Sequence, residues 1–194
     1  MILSMDYTPS EKELDFIPLI GGIGQKASYY QVNVMVDRLA EKFGGNSIFL
    51  NAPAFINHMN SYKNITGSDN YQIVKELWGK IELAVIGLGK PISSSEILKS
   101  EISSDVVQSL MDFDAVGDIL GQFFNQYGEI CVTDLEKQLI GMKIEELKRI
   151  KNVVCLSGGE GKAKGIIAAA RVNFFNTLVT DQLTATDILD SLGG

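Results

Sequence analysis

Residues 152–189 read NVVCLSGGEGKAKGIIAAARVNFFNTLVTDQLTATDIL, and they point to the fold class. Val153, Val154, Cys155 and Leu156 form a short apolar run that ends at Ser157-Gly158-Gly159-Glu160-Gly161-Lys162. A run of small residues, Ala163 to Ala170, has helical character, and Thr177 to Thr180 is a second β-rich run closed by Asp181-Gln182-Leu183-Thr184-Ala185. Strand, glycine-rich turn, helix and strand make a βαβ unit, which predicts parallel pairing. The turn puts backbone N–H groups and a Lys at a helix N-terminus, an arrangement that suits an anion.

The same alternation extends toward the N-terminus. Phe16 to Ile20 predicts a buried strand entering the turn Gly21-Gly22-Ile23-Gly24. Val32, Val36, Leu39 and Phe43 recur at helical spacing and Gly44-Gly45 ends that helix. Ser47 to Leu50 predicts the next strand, closed by Asn51-Ala52-Pro53. Asp69 is the expected cap of a helix carrying Ile73, Val74 and Leu77. Leu83 to Ile86 predicts a strand ending in Gly87-Leu88-Gly89, Ser104 or Asp105 starts a further helix, and Ala115 to Phe124 reads as helical. Continuously apolar strands between helices predict an α/β fold, a doubly wound, mostly parallel sheet with helices on both faces. Ligands of such sheets bind beyond the carboxyl ends of the strands. Residues 1–15 are polar and unpatterned and are expected to be loose; residues 16–194 are expected to form one domain.

Composition narrows the function. The chain has 194 residues, 17 Lys and Arg against 24 Asp and Glu, a net charge of −7, and a mean hydropathy of +0.11. An acidic chain without a Lys/Arg cluster does not offer a nucleic-acid surface of its own. It shows no secretory signal and no apolar run long enough to cross a bilayer. Cys131 and Cys155 lie in apolar surroundings and read as buried thiols, which makes the cytoplasm the expected location. One His and two distant Cys give no zinc pattern, and no cofactor or metal is expected.

Two motifs are weaker than they look. Gly22-Ile23-Gly24-Gln25-Lys26-Ala27 fits G-x-G-x-x-A after a strand, yet the following strand ends in Asn51 where a dinucleotide site needs an acid for the ribose. Gly158 to Lys162 resembles a P-loop, yet Ala163 stands where a hydroxyl should hold magnesium. Asp114, Asp118 and Asp181 are the carboxylates expected near the strand ends. Asp118 lies within Ala115-Val116-Gly117-Asp118-Ile119, where a charge needs a partner. Asp181 reads equally as a helix N-cap and as a ligand contact. His58 reads as a loop or packing residue rather than a catalyst, and Phe123-Phe124 and Phe174-Phe175 read as core.

An ordered set of segments resembles the sugar-binding regulators of the SorC/DeoR type. They are Ile17 to Gly24, Asn33, Leu39-Ala40 with Phe43 to Gly45, Ala52-Pro53, Ile86 to Gly89, Ala115 to Gly121, Gly158-Gly159 with Lys162-Ala163, and Thr180-Asp181 with Thr184-Ala185. The resemblance implies a phosphosugar-isomerase-like fold and the C-terminal, effector-binding domain of a transcriptional regulator that senses a phosphorylated sugar and controls carbohydrate genes. It also implies a homo-dimer or homo-tetramer. The family's helix-turn-helix, first strand and Gly/Thr phosphate loop are expected to be missing before Phe16, so DNA contact is expected only from a helix-turn-helix outside these residues. The residues carried over as effector-binding are Gly22, Gly24, Gln31, Asn33, Asp118, Gly158, Gly159, Lys162 and Asp181. Ile20 stands where relatives that hold a second phosphate are basic, which implies a monophosphate. No catalytic residue is expected, because Gln182 stands where related isomerases have an acid and an amide is no general base. The competing readings are a phosphosugar isomerase-like enzyme and a structural oligomerisation domain without effector.

Overall fold

Parallel strands build the sheet that carries the C-terminal half. In the computed structural model, which describes residues 6–23, 31–56, 58–95, 99, 102–131 and 139–193, the chain divides into two compact units. The first comprises Met1–Lys80 with Gln138–Gly141, and the second Ile81–Lys137 with Met142–Gly194.

In the first unit β1 (Asp15–Phe16) pairs in parallel with β2 (Asn46–Ser47), and α1 (Val32–Phe43) connects them. Gly44 ends α1 at φ 66°, and its amide reaches the Ala40 carbonyl, the left-handed cap its glycine permits. The expected strand from Phe16 to Ile20 is shorter than read, as is that from Ser47 to Leu50. Pro18 has no N–H to give a ladder, and its carbonyl instead accepts from Trp78 Nε1 at 2.8 Å. Pairing resumes as single bridges, Ile20 with Gly141 and Gly22 with Pro53. Thr8 and Ser10, in the segment read as unpatterned, donate from their amides to Lys42 and Phe43 at 2.8 and 2.9 Å. Two further helices follow, α2 (Met59–Thr66), preceded by exposed His58, and α3 (Asp69–Trp78). Ser68, not Asp69, caps α3; its hydroxyl accepts from Tyr71 N, and Asp69 sits one residue later, where its charge suits the helix N-terminus.

In the second unit β3 (Leu83–Gly87), β6 (Asn152–Leu156) and β7 (Thr177–Val179) form a parallel sheet in the order β3-β6-β7. Ala84, Ile86, Val153 and Cys155 are buried, whereas Leu83 and Val85 alternate outward on β3 and are about half exposed. A 3-10 turn (Ile92–Ser94) and α4 (Ser104–Asp112) follow β3; α5 (Ile144–Leu147) precedes β6. Then α6 (Ala163–Arg171) links β6 to β7, and α7 (Gln182–Ser191) closes the chain. The small residues of α6 are needed for its approach. A Cβ on Gly165 would stand 2.9 Å from the Val116 carbonyl and 3.0 Å from Leu88 Cδ2. Phe124 and Phe174 meet edge to face, centroids 5.3 Å apart, in the core predicted for them.

Residues 115–124, read as helical, are an antiparallel hairpin: β4 (Gly117–Ile119) pairs with β5 (Gln122–Phe124). Leu120 (φ 53°) and Gly121 (φ 72°) take the two left-handed positions of a two-residue turn. Asparagine or aspartate usually signals such a turn, and leucine hides it.

Candidate functional site

The carboxyl ends of β3 and β6 meet the hairpin around one carbonyl. Leu88 O accepts from Ser157 Oγ at 3.2 Å and from Lys162 Nζ. The neighbouring Gly89 amide donates to Asp118 O at 2.9 Å, which fastens β4 to the end of β3. The Asp118 carboxylate therefore lies over Gly89, and the fit is close: a Cβ on Gly89 would stand 1.8 Å from Asp118 Oδ1.

Asp118 is 9% exposed. Its Oδ2 accepts from the Gly121 amide at 3.2 Å, so the left-handed turn serves the carboxylate that precedes it. Its Oδ1 is buried and has no hydrogen-bond partner among the described residues. Burial pushes the Asp118 carboxyl up to about 6, against the Gly121 amide and the charge of Lys162, both of which pull it down. Lys162, at the N-cap of α6, is lowered by burial, while Asp118 and then Cys155 act to raise it. Beneath them the Cys155 thiol is pushed by burial up to about 11 and is an inert neutral group at ordinary pH. A buried carboxylate oxygen without a donor next to a partly buried ammonium can take a hydroxyl at one end of a ligand and a negative group at the other.

The glycine-rich turn is organised around Asp181. Its Oδ1 accepts from Thr184 N at 2.8 Å, and its Oδ2 from Thr184 Oγ1 at 2.8 Å and the Gly159 amide at 2.9 Å. The Gly159 amide also donates to Thr184 Oγ1 at 2.7 Å. Asp181 is thus the N-cap of α7, and these bonds hold its carboxyl below the usual range. Gly158 lies against it, since a Cβ there would be 2.1 Å from Asp181 Oδ2. Gly159 at φ 100° and Gly161 at φ 80° need the left-handed region.

The other expected residues lie in the first unit. Asn33 spends both ends of its amide on Leu50, donating to its carbonyl at 3.1 Å and accepting from its amide at 3.2 Å. The Gly22 amide donates to Ala52 O at 2.9 Å and its carbonyl accepts from Ala54 N at 2.8 Å. Gln31 precedes α1, with Oε1 3.3 Å from where a Gly22 Cβ would be. Ile20 is buried. Gly24 lies outside the described residues. Exposed Asp114, at φ 54°, follows α4. Sequence reasoning overlooked Ser157, Gly89 and Thr184; the signal for Gly89 was present in Gly87-Leu88-Gly89, a strand end needing close approach. Among the described residues no group of three His, Cys, Asp or Glu is placed to hold a metal ion, and no helix is long and apolar enough to cross a membrane.

A family model described as "Putative sugar-binding domain" matches residues 1–190. The sorbitol operon regulator of Klebsiella pneumoniae is 22% identical over 191 residues, 97% of this chain and 61% of the regulator. The transcriptional regulator LsrR of Escherichia coli O157:H7 is 49% identical over 79 residues, 40% of this chain and 25% of LsrR. A solved DeoR family transcriptional regulator from Listeria monocytogenes superposes with a TM-score of 0.86 at 28% identity, over 96% of this chain and 73% of that one. A transcriptional regulator from Streptococcus pneumoniae TIGR4 gives 0.89 at 26% identity, over 100% and 74%. The chain spans 61%, 52% and 57% of three curated relatives it matches. The relatives are named as transcriptional regulators, and the chain belongs to the sugar-binding domain family of SorC/DeoR-type regulators.

Proposed function

We propose that the chain is the effector-binding domain of a bacterial, cytoplasmic transcriptional regulator that responds to a phosphorylated sugar and controls carbohydrate genes. One observation carries the ligand reading: Asp118 Oδ1 is buried without a donor, beside Lys162. A sugar hydroxyl donates to Asp118, and a phosphate takes Lys162 at the head of α6, where the helix dipole adds to the attraction. Operator contact belongs to a helix-turn-helix outside these residues, and the working form is a homo-oligomer. Gln182 opens α7 as an exposed amide, which supports sensing without aldose–ketose turnover.

Calorimetric titration with a panel of pentose and hexose phosphates tests this. Saturable binding is expected, with no interconversion of the sugars. A hydroxyl donor favours the charged carboxylate, so affinity should rise as pH increases through about 6. The phosphate's own titration remains in Asp118→Asn and is subtracted with that variant. Turnover of any sugar phosphate, or binding indifferent to Asp118, would overturn the reading.

A further inference from the structure

The amino ends of β6 and β7 open on a cavity of about 830 Å³, bounded by the segment before β6, the end of α6 and the end of α7. Its fifteen lining residues include four cations, Lys148, Arg149, Lys151 and Arg171, and no acid, although acids outnumber bases 24 to 17 in the chain. Among the described residues no carboxylate pairs with Arg149, Lys151 or Arg171, while Lys148 Nζ sits 5.5 Å from the centre of the Phe174 ring. The remaining lining is mostly hydrocarbon, including buried Val153, Ile166 and Phe175.

We propose that this cavity is a second ligand site, and that it takes an amphipathic anion: a carboxylate or phosphate head on a short hydrocarbon body. The cations select negative charge, and the aliphatic floor selects an apolar body over a polyol. The polar groups present support that choice. Asn176 is already occupied, its Oδ1 accepting from Val153 N at 3.0 Å and its Nδ2 donating to Lys151 O at 2.7 Å. The lining offers no carboxylate to receive sugar hydroxyls, unlike Asp118 at the other end of the strand. Five residues of β6 separate the two places, about 16 Å of extended chain.

The experiment is a titration of the full chain with octanoate below its micelle concentration, followed by amide chemical shifts. Saturable shifts are expected at Ala170, Asn173 and Asn176, with none at Gly158 to Lys162. Octyl phosphate should move the same residues, and 1-octanol and inorganic phosphate should each bind at least about tenfold more weakly, because each lacks half of the recognition. Arg171→Gln combined with Lys151→Gln, both at exposed positions, should weaken octanoate by about tenfold or more at unchanged melting temperature, and Arg171→Lys should retain binding. Absence of saturable shifts, octanol binding as tightly as octanoate, or affinity unmoved by the double variant would overturn the site. Shifts at these residues that grow with protein concentration without ligand, with dimers in sedimentation, would assign the cavity to a second copy and also overturn it.

Discussion

Asp118 and Asp181 lie at the carboxyl ends of the same parallel sheet and have opposite fates. Asp181 is exposed, both its oxygens accept hydrogen bonds from Thr184 or Gly159, and it is held more acidic than usual. Asp118 is buried, one of its oxygens has no donor among the described residues, and it is held less acidic. Fold geometry explains the first completely, as a helix cap with a glycine making room. It leaves the second incomplete. A carboxylate kept in an apolar place at a cost to the unliganded protein is the mark of a group waiting for a donor.

The two acids differ most at the glycines packed against them. Gly89→Ala drives a methyl group into Asp118 Oδ1, which the hairpin holds in place. It should lower stability by about 3 kcal/mol, the upper end for overpacking, and remove sugar-phosphate binding, as read by chemical denaturation and calorimetry. Asp118→Ala should weaken binding by about 1.5–3 kcal/mol while the domain stays folded; unaltered affinity would leave Asp118 with a purely structural role. Asp118→Asn sharpens the contrast through pH. A carboxyl whose folded pKa is raised to about 6 lends stability below its unfolded pKa near 4 and loses it as pH rises through about 6. The asparagine variant should therefore match the parent near about pH 4 and exceed it by about 2–3 kcal/mol near about pH 8, while binding sugar phosphates more weakly. Asp181 runs the other way: its lowered pKa lends stability above the usual carboxylate range that is lost as pH falls below it. Asp181→Ala, which removes an exposed helix cap, and Gly158→Ala, whose methyl group the exposed Asp181 side chain can swing aside to admit, should have the smallest effects, a melting temperature lower by a few degrees. A collapse of the fold in either would erase the distinction drawn between the two acids.

The βαβ unit from Asn152 was legible because each level of the sequence agreed: a short apolar strand, glycines at the turn, a helix of small residues, an N-cap Asp. The fold class followed from it. The hairpin was not legible. Ala115-Val116-Gly117-Asp118-Ile119-Leu120 carries apolar residues that suit a helix as well as a strand, and Leu120 occupies a left-handed position for which leucine is no signal. The same misreading obscured why Asp118 is buried, since its environment comes from Gly89 and Gly121 rather than from sequence neighbours alone. Lys162 was legible from the turn that presents it; Ser157 was not, because its role depends on the Leu88 carbonyl, 69 residues away. In the first unit, Asn33 looked like a ligand residue, but an isolated amide in a sequence does not say whether backbone has already claimed it, and here Leu50 has.

The doubly bonded carbonyl of Leu88 has a kinetic consequence. Both of its lone pairs are taken, by Ser157 and Lys162, and the Gly89 amide that completes the same peptide unit is held by Asp118 O. That peptide plane cannot rotate without breaking three hydrogen bonds at once. The Gly89 amide should accordingly exchange its hydrogen with solvent among the slowest in the second unit, although it lies beyond the end of a strand, where amides ordinarily exchange fast. The floor beneath Asp118 is then rigid before any ligand arrives, and the entropy of ordering it is lost on folding rather than on binding.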